Sequence, residues 1–110
     1  MSFVYLINIK NTYIYKIGIT RKHPNTHVRK RGLQTGNPFE LEYHNYYETD
    51  IPNKIERCLH RLFAHKKYIQ DDFIILKGEW FKLETNDVLE FLQICKKIEN
   101  GIKITNKETF

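Results

Sequence analysis

Two runs rich in β-branched and aromatic residues, Phe3–Ile9 (FVYLINI) and Tyr13–Thr20 (YIYKIGIT), flank the tripeptide Lys10-Asn11-Thr12. Parallel strands need a crossover of a dozen or more residues, so a three-residue link forces an antiparallel hairpin. That constraint decides which residues face one another. With Asn11-Thr12 as a two-residue loop, Tyr5 stands opposite Gly18 and Ile7 opposite Lys16. Side chains alternate along a strand, so Tyr5, Lys16 and Gly18 then share one sheet face. A three-residue loop would slip the register by one and part Tyr5 from Lys16.

Further elements follow by pattern. Residues 24–35 (PNTHVRKRGLQT) have polar helical character with Val28 and Leu33 as apolar members, and Gly36-Asn37-Pro38 stops them. Residues 41–49 (LEYHNYYET) alternate and predict a third strand. Residues 53–67 predict an amphipathic helix with Ile55, Leu59, Leu62 and Phe63 on the buried face and Asn53 as its cap. The segment DFIIL, 72–76, reads as a short strand or a buried connection. GEWF supplies Trp80 and Phe81 to the core. A last helix is expected over about 87–99, with Val88, Phe91, Leu92, Cys95 and Ile98 on one face. Asp87 and Glu90 suggest its capping box, Asn100-Gly101 its end, and the tail from Ile102 reads as irregular or extended. The fold class expected is α/β (α+β): one domain over 1–100, with a small three-stranded antiparallel sheet flanked by helices, and a tail over 101–110.

Charge is placed unevenly. Lys10, Lys16, Arg21, Lys22, Arg29, Lys30 and Arg31 lie in the first 39 residues, and all 13 carboxylates lie after them. An acid-free basic half suits a polyanion, nucleic acid first, although a solvated basic loop has the same composition. No apolar run nears the roughly 18 residues of a membrane span. The N-terminus lacks a basic leader region and cleavage site, so an intracellular, non-secreted protein is expected. Cys58 and Cys95, in separate predicted helices, read as reduced, buried thiols, and their spacing suggests no zinc site.

VYL, then YKIGIT, then an arginine in a basic helix, then LQTGNP, IERCLH and GEWF, in that order over about residues 3–83, resemble the GIY-YIG nuclease domain. The likeness is to a branch common in phages and large DNA viruses. Val4-Tyr5 stands where the family ends its first motif, with Phe3 in place of glycine. Lys16-Ile17-Gly18 stands at the second motif, with lysine in place of tyrosine. The resemblance implies a catalytic set of Tyr5, Lys16, Arg29, Glu56 and His60. Arg29 would contact the scissile phosphate and Glu56 would hold one divalent ion, Mg²⁺ or Mn²⁺. It implies DNA as partner, and the basic segment then offers Arg21, Lys22, Lys30 and Arg31 as expected phosphate contacts.

The residue types suit that chemistry. A lysine beside a tyrosine lowers the phenol's pKa and can hydrogen-bond a water or phosphate. The arginine fork matches phosphate oxygens, and a carboxylate suits a hard cation. Taken singly, each has a plainer reading: Tyr5 as packing, Lys16 as a strand's wet face, Arg29 as one charge in a basic loop, Glu56 as a solvated helix residue, His60 as a partly buried structural group. Three functions remain open: a metal-dependent DNA endonuclease of low sequence specificity, a GIY-YIG-fold binding module that no longer cuts, and a protein-interaction domain. A protein partner or homodimer would supply specificity to the first.

Overall fold

The computed structural model describes residues 2–35, 37, 39–68 and 79–108, without the side chains of Arg29 and residues 106–108. Four strands, β1 (Ser2–Ile9), β2 (Ile14–Thr20), β3 (Leu41–Thr49) and β4 (Trp80–Lys82), form one antiparallel sheet in the order β3-β1-β2-β4. The three expected strands are present, and the fourth, Trp80–Lys82, begins inside the GEWF motif. Helices α1 (Val28–Gln34), α2 (Pro52–Leu62), α3 (Thr85–Leu89) and α4 (Phe91–Glu108) flank the sheet, giving an α+β fold. The segment 72–76 and residues Gly36 and Pro38 lie outside the described residues.

The hairpin has the register expected of it, with Tyr5 paired to Gly18 and Ile7 to Lys16. Its turn is built differently. The Thr12 N–H donates to the Ile9 carbonyl at 3.0 Å, and Asn11 takes a left-handed conformation at φ 64°. Buried Asn8 donates to the carbonyls of Thr12 and Ile14, holding the loop closed from inside. An asparagine amide can tie two carbonyls at once, so a wider loop keeps the same strand pairing.

β1 is the central strand, buried from Phe3 to Ile9, and so divides two cores. On one face Val4, Leu6, Tyr15 and Ile17 meet Ile55 and Leu59 of α2, Val88 of α3, and Phe91 and Cys95 of α4. On the other, Tyr5, Ile7, Ile9, Leu41 and Trp80 pack with Leu33 of α1, Tyr43, Tyr46 and Tyr68. Trp80 and Phe81 serve opposite cores because neighbouring strand residues point opposite ways. In β3 the plain alternation breaks: the register with β1 shifts between Leu6 and Ile7, so Tyr5 faces Tyr46 while Ile7 faces Tyr43. This bulge puts two tyrosines three residues apart on the same face.

Several boundaries differ from the sequence expectation. α2 begins at Pro52, after Ile51 as N-cap, and Asn53 lies inside its first turn. Proline suits the first helical position because its missing N–H is not needed there. The helix ends at Leu62, which is exposed; Phe63 is buried, and a 3-10 turn covers Ala64–Lys66. Residues 24–34 are two pieces, a 3-10 turn Pro24–Thr26 and α1, broken at His27 with φ 56°. The expected last helix is also two. α3 starts after Glu84, whose N–H donates to Asp87 at 2.9 Å, so the capping pair is Glu84 with Asp87 and not Asp87 with Glu90. α4 runs through Asn100-Gly101 to Glu108, so the residues from Ile102 to that point are helical. A helical glycine costs about 1 kcal/mol against alanine and does not by itself end a helix.

Candidate nuclease-type site

The Tyr5 face of the sheet is built around Gly18. A Cβ at Gly18 would overlap the hydroxyl and Cζ of Tyr5, so the tyrosine ring lies directly over the glycine. Tyr5 is fully buried and meets the Tyr43 ring edge-on at 5.8 Å. Two pairs along the hairpin, half-buried Lys16 lies on the same face, its Nζ 5.7 Å from the centre of the Trp80 ring. Trp80 pairs with Lys16 across β2 and β4, which places the ammonium over an aromatic face as well as near the surface.

α1 covers this face through Leu33. Gln34 fixes its end: the side chain donates to the Phe39 carbonyl at 2.6 Å and accepts from the Leu41 N–H at 2.8 Å. LQTGNP therefore works as a placement device at Gln34, tying α1 to the start of β3. Arg29 lies in the first turn of α1, and Lys30 and Arg31 follow it. Arg21, Lys22 and Arg31 are exposed and Lys30 is half-buried. Sequence reasoning passed over an aromatic row beside them. Phe3 meets His23 at 4.9 Å and Tyr46 at 5.8 Å, and His27 lies 6.0 Å from Tyr43. Phe3, which replaces the family's glycine, is thus a packed member of this face.

Glu56 and His60 come from α2, which packs on the opposite face. They lie one turn apart on one side of the helix. His60 reaches the sheet at the edge of β2: its Nε2 is 2.9 Å from the Ile17 carbonyl and its Nδ1 is 3.0 Å from Glu79. Half-buried Glu56 makes no hydrogen bond or ion pair among the described residues. The two halves of the proposed set therefore approach each other around the edge of β2 and not across one surface. No group of three or more histidine, cysteine or acidic side chains able to hold a metal occurs among the described residues.

Two other polar clusters are structural. Glu99 of α4 accepts hydrogen bonds from Thr49 at 2.6 Å and Tyr47 at 2.5 Å. These hydroxyls, helped by the Lys103 charge, hold its carboxyl below the ordinary range against its burial. Burial, then the carboxylate, pushes the Tyr47 phenol well up. The Lys66 ammonium contacts Asp87 at 2.6 Å and ties the turn after α2 to α3. Burial pushes the Cys95 thiol up to about 12, so it is an inert core group, while Cys58 is half-buried; both are free thiols.

No helix among the described residues is long and apolar enough to cross a membrane. Comparison with curated proteins and with solved structures finds no match. A family model described as the T5orf172 domain matches residues 2–99. With nearly its whole length inside that match, the chain belongs to the T5orf172 domain family, a phage-associated domain of the endonuclease type.

Proposed function

We propose that the protein is a GIY-YIG-type endonuclease that hydrolyses DNA phosphodiester bonds with one divalent ion. The family match carries this reading. The packing of Tyr5 on Gly18, with Lys16 two strand pairs away on the same face, supports it. In it, Arg29 and the basic residues around α1 take phosphates, with Arg21 and Lys22 extending the contact. Lys16 favours the anionic form of Tyr5 and offers its ammonium to a phosphate oxygen or water. The carboxylate of Glu56, without a hydrogen bond or ion pair among the described residues, suits a single Mg²⁺ or Mn²⁺ whose remaining positions water and phosphate would fill, as hard ions prefer. Such an ion, when bound, stabilises charge on phosphorus-bound oxygens.

Full enclosure of Tyr5 favours a second reading. A hydroxyl with no exposed surface cannot exchange a proton with a substrate water until its cover moves. A binding module that kept the fold and basic half would need no such movement. Incubation of the purified protein with supercoiled plasmid, with Mg²⁺ or with chelator, separates the two. Metal-dependent nicking that disappears in Glu56→Gln is expected; retention of DNA without nicking would establish the binding module.

A further inference from the structure

Glu79 is not among the proposed catalytic residues, yet it touches one of them at the site's edge. It immediately precedes β4, with one carboxylate oxygen 3.0 Å from His60 Nδ1 and the other 3.2 Å from the Lys67 ammonium. The Lys67 hydrogen bond first, then the Lys67 and His60 charges, hold its carboxyl below the ordinary range against partial burial.

The other His60 nitrogen, Nε2, is 2.9 Å from the Ile17 carbonyl. A carbonyl and a carboxylate can only accept, so each bond needs a proton on the ring nitrogen. A neutral ring can make only one of them, and a ring making both has no lone pair left for a water or metal. The location matters equally. β4 pairs with β2 only over Ile14–Lys16, so Ile17 is the first β2 residue beyond that ladder. The next residue is Gly18, under the Tyr5 ring. His60 therefore supports β2 where its fourth-strand neighbour ends, and Glu79 orients His60.

We propose that Glu79 is a positioning residue which, through His60, fixes the Ile17–Gly18 edge of β2 on which Tyr5 and Lys16 are set. Its role in cleavage rests on the nuclease reading of that site; its role in fixing the edge does not. Glu79 is itself exposed, and exposed ion pairs contribute little to global stability. Its replacement is expected to leave the fold intact and loosen one place.

The test uses the whole chain with Glu79→Ala and Glu79→Gln. Amide hydrogen exchange is followed by NMR, with plasmid nicking and DNA affinity measured in parallel. Glu79→Ala should speed exchange at Ile17–Ile19 about tenfold, with the β1–β3 ladder unchanged, because local opening is set by local contacts. Nicking should slow about tenfold or more at nearly constant DNA affinity, the signature of misplacement and not of weakened binding. Glu79→Gln keeps an oxygen for the His60 N–H and should recover most of both. Unchanged exchange in Glu79→Ala overturns the inference whatever the nicking rate. Faster exchange with nicking at the parental rate overturns the role in cleavage. A parent protein that never nicks overturns the nuclease reading instead, and the exchange result still decides whether Glu79 fixes the edge.

Discussion

Gly18 has no side chain, and Tyr5 fills the space where one would stand. Alanine in place of a strand glycine usually gains a few tenths of a kcal/mol from the unfolded chain. Here the atoms met belong to a fully buried ring that has nowhere to move, so overpacking wins. Gly18→Ala should destabilise the fold by about 1–3 kcal/mol, read from denaturant midpoints at unchanged slope. Lys16→Met keeps the aliphatic stem and removes the charge over the Trp80 ring, an attraction worth about 1 kcal/mol at a half-exposed site. Thermal unfolding should therefore change little, whereas plasmid nicking should fall about a hundredfold, the scale of one electrostatic or acid–base group. Nicking at the parental rate would make Lys16 an ordinary packing residue.

At the scale of elements, one carboxylate hydrogen-bonds α4 to β3 beside their shared apolar core. Thr49 and Tyr47 donate to Glu99, whose carboxyl is held below its ordinary range. A group depressed in the folded state adds stability that is complete above the unfolded pKa, about 4.3 for glutamate, and is lost as pH falls through the lower folded value. Glu99→Gln should accordingly be less stable than the parent at pH 7. The difference should shrink as the pH is lowered below about 4, as followed by urea denaturation at each pH. Tyr47→Phe, which leaves the Thr49 bond in place, should cost about 1.5–3 kcal/mol at pH 7, the range for a hydrogen bond to a charged acceptor.

For the molecule as a whole, the dominant feature is the separation of charge along the chain. The acid-free first 39 residues supply the β1–β2 hairpin and the basic segment around α1. Exposed Lys22 and Arg31 belong to that segment. Changing both to glutamate should weaken binding to all DNA sequences alike. It should also lower the slope of log affinity against log salt by about 1–2, near 0.9 for each phosphate no longer neutralised. An unchanged slope, measured by fluorescence anisotropy over a salt series, would remove this segment from the DNA face.

The antiparallel hairpin, the two buried aromatics of GEWF and the α+β class were legible in the sequence because they follow from short-range rules, whereas loop length left two registers open and the structure takes the one that sets Tyr5 against Gly18. A three-residue link admits only one strand direction, and period-two alternation then assigns the faces. Local pattern also placed Glu56 and His60 one turn apart on α2. It did not reach the fourth strand, since three residues carry almost no periodic signal and Trp80–Lys82 become a strand only by pairing with β2. Nor did it reach the bulge that gathers Tyr43 and Tyr46 on the Tyr5 face, or the passage of α4 through Asn100-Gly101. Those outcomes depend on contacts between distant segments: β1 setting the register of β3, and Tyr47 and Thr49 binding Glu99. The relation of Glu79 to His60 is of the same kind. The sequence by itself determined that the first two strands pair as an antiparallel hairpin; only the tertiary structure decided which of two registers it takes and what supports its edge, because backbone groups left beyond a ladder take partners from wherever the fold brings them.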